Sequence, residues 1–285
     1  MKNKKLIYII SVIVIILSFI ASVKGVFSNE VHVYPNVITA FGEEVELYQK
    51  GIYARDSVSM ATQAIAQDTI TLVIGIPMAI ISLFLIMKDN KKGIFLLTGT
   101  IGYILYTYAS YSFLTFFNGF YLVYIAIMTL SFYDFILCIC ELNRYNLKDE
   151  FTGEFPRKGL SRFLWITGVV IGLMWLGRIA PAIINNSAPF GLEHYSTLSI
   201  QTLDLGVVVP ACFVTGYLLR KEKQMGYLFS IVLVVKAVTM AAAVSAMAIS
   251  MKLHAIEISY GELIIFPVIF CICTFFMMRI LKEIR

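Results

Sequence analysis

Eight apolar runs, each close to the length of a membrane crossing, constrain this chain more than any other feature. They cover 6–23, 69–87, 93–114, 120–140, 163–184, 199–219, 225–250 and 262–281. A helix needs about 20 apolar residues to span the hydrocarbon layer. Lipid offers nothing to hydrate a backbone amide, so such runs must close their hydrogen bonds internally, as helices. Composition agrees, with 59% hydrophobic residues, 14% charged residues and a mean hydropathy of +0.82; a soluble domain is about a quarter charged. A disordered chain, a nucleic-acid-binding domain and an ordinary cytosolic enzyme are excluded. The expected fold is an all-α integral membrane protein. It is a bundle of about eight transmembrane helices in a single polytopic domain, 1–285, with an external cap segment at about 24–68.

Cationic loops stay on the cytoplasmic side of a membrane. With a cytoplasmic N-terminus, 17 of the 23 Lys and Arg residues fall in inside segments, and only Lys24, Lys50, Arg55 and Lys252 fall outside. The asymmetry alternates at every turn, so both termini are expected in the cytoplasm. The formal charge of +5 then anchors the chain to the inner leaflet, and the lipid bilayer is its first partner; nucleic acid is not one. The first run follows Lys2, Lys4 and Lys5 as a signal peptide would. Ala21-Ser22-Val23-Lys24-Gly25 is a poor cleavage site, however, and an uncleaved anchor is expected. The Lys- and Ile-rich composition suits a bacterial plasma membrane.

Between the first two runs, residues 30–47 mix Val, Tyr and Phe with Pro35 and Gly42, the pattern of a small hairpin-like cap. From Asp56 the period changes. Asp56, Ser59, Gln63 and Gln67 share one helical face, and Val58, Ala61 and Ile65 another. Asp56 or Ser57 suits an N-cap, so one helix is expected over 57–87, which either protrudes outside or bends at Gly75-Ile76-Pro77. Pro181, Pro210 and Pro267 offer further bends. No internal repeat is evident, which leaves one domain.

Ionisable residues inside spans cost several kcal/mol each unless paired or hydrated. Arg178 and Asp204 match in depth, and Lys236, about 16 Å up the seventh run, leans toward Asp134. Two structural ion pairs are therefore expected, Arg178–Asp204 and Asp134–Lys236. Polarity also collects in the outer half of the membrane. Tyr103, Tyr106, Thr107, Tyr108, Ser110, Tyr111 and Ser112 crowd the third run, Gln201 and Asp204 share a face of the sixth, and Gln67 and Asp68 head the second. A polar cavity open to the outside explains that concentration. Its expected ligand-binding residues are Gln67, Asp68, Tyr103, Tyr106, Arg178, Gln201, Asp204, Lys236 and Glu262, and two cations make an anionic small molecule or lipid head group the expected ligand.

The cysteines Cys138, Cys140, Cys212, Cys271 and Cys273 all lie in spans. Each Cys-Ile-Cys pair would point its thiols about 200° apart on a helix, so apolar packing, not a metal, is expected. His32, His194 and His254 fall in external segments. No HExxH, GxSxG or phosphate-cradling glycine loop is present, and no cofactor or metal is expected. Gly168-x-x-x-Gly172, with Ala237, Ala241 and Ser245, allows close helix packing within the bundle or across a homodimer. Three function classes stay open: a small-solute or lipid-headgroup transporter or permease, an intramembrane enzyme acting on a lipid or isoprenoid head group from outside, and an accessory subunit that docks a partner through 24–68.

Overall fold

The computed structural model describes residues 3–147, 151, 155–256, 258 and 260–284, apart from the side chain of Glu262. The chain is all-α but for one hairpin in the cap. Helix α1 (Lys4–Phe27) leads to strands β1 (Val37–Ile38) and β2 (Glu44–Val45), which pair antiparallel, and to a 3-10 turn at Gly51–Tyr53. Then come α2 (Val58–Ile70), α3 (Ile76–Met87), α4 (Lys92–Leu114), α5 (Tyr121–Leu142) and α6 (Arg157–Asn185). The chain ends with α7 (Ser199–Leu203), α8 (Val209–Arg220), α9 (Gln224–Leu253) and α10 (Tyr260–Glu283).

Ser57 caps α2, its Oγ accepting from Met60 N at 3.0 Å. Helices α2 and α3 form one continuous rod, joined by a π turn at Thr71–Gly75; α7 and α8 are joined in the same way at Asp204–Val208. Each π turn lies just before a proline, Pro77 or Pro210. A proline lacks the N–H that would bond four residues back, and its ring crowds that carbonyl. The wider turn makes room for the ring without ending the helix.

Among the described residues, seven helical stretches are long and apolar enough to cross a membrane: Lys4–Phe27, Val58–Met87, Tyr121–Leu142, Arg157–Asn185, Ser199–Arg220, Gln224–Leu253 and Leu263–Glu283. The expected third span, α4, is not among them. It is a helix of 23 residues, about 34 Å long, but its glycines, threonines and tyrosines lower its hydropathy. That composition follows from its position. Helices α4 and α9 pack on each other at the centre, with α3 and α5 against α4, and α8 and α10 against α9. The outer helices turn large apolar side chains outward: Leu6, Ile9, Ile13 and Ile16 on α1, Ile166, Val169 and Leu173 on α6, Ile264 and Val268 on α10. A lipid-facing surface needs that chemistry, and a helix enclosed by protein does not.

Close packing uses the small residues inside the chain. A Cβ at Gly99 would run into Val235 and the Val232 carbonyl of α9, and one at Gly168 would meet Cys212 and Phe213 of α8. Gly172 faces Val209. The Gly168–Gly172 face is thus occupied by α8 of the same chain.

Candidate functional site

Eight of the nine expected ligand residues separate into two groups. Gln67, Asp68 and Tyr103 are packed into the core. Asp68 has no exposed surface; its Oδ2 accepts from the Tyr53 hydroxyl at 2.6 Å and its Oδ1 from Tyr111 at 3.2 Å. Tyr53 belongs to the cap, which folds back so that its hydroxyl reaches the last turn of α2. Tyr108 and Tyr124 complete a block of rings around Tyr111, with centroids 5.5 and 5.4 Å away. On the opposite side, Gly25 of α1 lies so close that any Cβ there would overlap the Asp68 carboxylate. Gln67 Nε2 donates to Tyr103 and Thr107, each at 2.8 Å, and Tyr103 and Thr71 lie 2.9 Å apart, hydroxyl to hydroxyl. Gln67, Asp68 and Tyr103 are thus held by other side chains of the core, while the buried Tyr124 hydroxyl beside them has no hydrogen-bond partner among the described residues.

The second group is half-buried and lies between α4, α6, α8 and α9. Asp204, in the π turn, accepts from the Tyr106 hydroxyl at 2.7 Å and from the Trp175 indole at 2.8 Å. Arg178 lies over Trp175, with its guanidinium carbon 5.4 Å from the ring centre, and over Phe190 at 5.3 Å. The link expected between Arg178 and Asp204 therefore runs through an aromatic ring. Lys236 Nζ sits 4.0 Å above the Tyr106 ring, close enough to Asp204 to feel its charge. Gln201 is half-buried one turn before Asp204. Glu262 lies outside the described residues.

The expected Asp134–Lys236 pair is not formed. Asp134 is fully buried; its Oδ2 accepts from Ser11 of α1 at 2.5 Å, and its Oδ1 has no hydrogen-bond partner. A serine in an apolar run satisfies part of this carboxyl's need, and the lysine turns to Tyr106 instead. Trp175 was missed in the sequence, although it lies three residues from Arg178, a spacing that puts both side chains on one helix face.

A third cluster gathers at the start of α2, beyond the apolar runs. Asp56 Oδ1 accepts from Phe116 N at 2.8 Å and from the Tyr195 hydroxyl at 2.9 Å, while Ser57 Oγ bonds Glu193. Residues 193–195 thereby clamp the head of α2 and the end of α4. Burial, reinforced by the nearby Glu193 charge and opposed by the two donors, lifts the Asp56 carboxyl from 3.8 to about 7. Burial also raises Glu193 and lowers His194. His194 stacks on Tyr195 at 4.4 Å. Among the described residues no three His, Cys, Asp or Glu side chains are grouped to hold a metal.

Comparison with protein-family models, curated proteins and solved structures gives no match. Function must be argued from the site.

Proposed function

We propose that this is an eight-span permease of a bacterial plasma membrane, both termini cytoplasmic, which takes a small anionic solute or anionic head group at Lys236 from the outer side. One observation carries the reading. The Lys236 ammonium has three donors, yet among the described residues it makes no hydrogen bond or ion pair, and only the face of Tyr106 and the field of Asp204 stabilise it. Asp204 is already held by Tyr106 and Trp175. A charge at this depth is costly without a partner, and an anion supplies the missing acceptor. The π turn at Asp204 supports the same reading, because π turns inside helices are frequent at functional sites. An intramembrane enzyme would need a reacting pair of groups in reach of one ligand atom, and the carboxylates Asp68 and Asp204 are each already occupied by side-chain donors.

The test uses purified protein in detergent, melted with acetate, succinate, inorganic phosphate or glycerol 1-phosphate, alongside Lys236→Met. One of these anions should raise the melting temperature of the natural chain and leave the variant unmoved. Proteoliposomes should then accumulate that anion when labelled. Stabilisation by glycerol 1-phosphate alone would assign a head group; equal shifts in both chains, or none in either, would remove the reading.

A further inference from the structure

An offset of 133 residues carries the stretch 66–140 onto 199–273. The π turns start at Thr71 and Asp204 (204 − 71 = 133), and the helices that follow, α3 and α8, are both 12 residues long with proline second. At the ends of these helices Asp89 and Glu222 adopt left-handed backbone, φ 53° and 56°. The bonds that close the two turns correspond one to one. Lys88 N and Lys221 N donate to Phe84 O and Tyr217 O, Asn90 N and Lys223 N to Leu85 O and Leu218 O, and Gly93 N and Gly226 N to Asn90 O and Lys223 O. A Cβ at Gly93 would strike Ile86 N, and one at Gly226 would strike Leu219 N, again equivalent atoms. The offset still holds at Cys138-Ile139-Cys140 and Cys271-Ile272-Cys273.

The packing of α2–α5 and α7–α10 obeys the same relation, whereas α1 lies mainly on α5 and α6 on α8. Helices α4 and α9 are counterparts, and they cross where Gly99 meets the carbonyl of Val232, its own counterpart. Helix α2 lies on α9, with Ser250 Oγ bonded to Thr62 O at 3.1 Å; α7 lies on α4, with Ser199 Oγ bonded to Phe113 O at 3.3 Å. Exchange of partners in this way is what a two-fold axis produces.

We infer that the chain is a tandem pair of four-span units, α1–α5 and α6–α10, packed about a pseudo-two-fold axis at the α4–α9 crossing, and that the Lys236 site lies in the seam between them and takes a small carboxylate. The carboxylate part rests on the permease reading; the tandem part does not. Tyr106 comes from the first unit, Lys236 and Asp204 from the second. An even number of spans per unit sets both units in the membrane the same way up, as in transporters built from parallel repeats. Under the offset, Lys236 corresponds to Tyr103 and Asp204 to Thr71. In the first unit that pair is neutral, and the amide of Gln67 fills the place beside it by donating to Tyr103. The counterpart of Gln67 is Ile200, which has no polar group to offer. One of two equivalent places is thus filled by the chain itself with a donor. The other presents a donor, and an acceptor must fill it.

The axis maps the Phe113–Ser199 contact onto Ala246–Ala66. In a full-length chain with its five cysteines replaced, and a protease site between α5 and α6, oxidation should join F113C to S199C and A66C to A246C. Each product should stay one band after cleavage. Linkage of the first pair without the second overturns the tandem arrangement; failure of both also overturns it, since the observed packing is then absent. Lys236→Tyr, which copies the first unit, should keep both linkages and abolish stabilisation by succinate. Stabilisation that survives in this variant overturns the seam site. If both pairs link and neither acetate nor succinate stabilises the natural chain while inorganic phosphate or glycerol 1-phosphate does, the carboxylate assignment falls and the permease reading stands; if none of the four does, both fall, and in either case the tandem arrangement is upheld.

Discussion

Tyr53→Phe removes a single oxygen atom, and its effect can be worked from the geometry. The Tyr53 hydroxyl is the close donor to Asp68, at 2.6 Å; Tyr111 is further away, at 3.2 Å, and also serves the Ala64 carbonyl at 2.9 Å. Asp68 is wholly buried, so water does not replace the lost donor. A hydrogen bond to a charged group contributes roughly 1.5–3 kcal/mol, and one between neutral groups about 1 kcal/mol. The expected loss is therefore about 1–3 kcal/mol, a fall of roughly 2–12 °C in melting temperature at about 2–4 °C per kcal/mol for a chain of this size. The measurement is a thermal melt in mild detergent, repeated for Asp68→Leu and the double variant. Asp68→Leu strands the Tyr53 hydroxyl, and removing both polar ends is far less costly than removing one. The double variant should melt higher than Asp68→Leu alone, a coupling of at least ~1 kcal/mol. Losses that simply add, to within about 0.5 kcal/mol, would refute the idea that the cap is bolted to α2 through this bond.

Other expectations concern different parts of the molecule. Asp56 holds its proton more tightly folded, at about 7, than its ordinary 3.8, so its contribution to stability is full below about pH 4 and is lost as pH rises through 7. Asp56→Asn should flatten that fall in a pH series of melts, while Glu193 and His194 continue to titrate in both chains; an unchanged profile would contradict the burial argument. Gly93→Ala and Gly226→Ala should each destabilise by about 1–3 kcal/mol, because the new methyl strikes backbone rather than a yielding side chain; a neutral effect at either would mean that the turn is looser than described. Impermeant thiol labelling of single cysteines at 43, 190 and 254 should report the outside, and at 90 and 222 the inside. Reversal at any one of them would break the eight-span orientation.

The sequence disclosed the long apolar helices, the hairpin in the cap, the Ser57 cap and the break before Pro77, because each rests on local chemistry: run length, alternation, a side-chain oxygen, a missing N–H. Depth counted along helices matched Arg178 with Asp204, but it set Lys236 beside Asp134 rather than over the ring of Tyr106. The sequence could not reveal that Asp68 is taken up by Tyr53 and Tyr111, or that Gln67 and Tyr103 bond each other. That depends on the cap folding Tyr53 back onto α2, and no periodicity in 30–56 encodes the fold-back. The Ser11–Asp134 bond was hidden for a related reason: a serine in an apolar run looks the same whether it faces lipid or a carboxyl. The repeat was illegible because few residues mark it. Pro77 and Pro210, Gly93 and Gly226, and the two Cys-Ile-Cys pairs are far apart in a chain otherwise filled with interchangeable Ile, Leu and Val.

The enclosed position of α4 also bears on how the protein is made. Its partner α9 begins about 110 residues after α4 ends. At about 5–20 residues per second of synthesis, α4 waits on the order of 5–20 seconds with the Gly99 side uncovered. During that wait the nearest surface resembling α9 is the α4 of another nascent chain, because the two helices are counterparts. Pairing of two unfinished chains through Gly99 would bury the same face and hide the seam from its proper occupant. Ribosome spacing on the message, and the speed of elongation between Leu114 and Gln224, therefore belong among the determinants of yield, and slowing translation in that interval should increase cross-chain aggregates.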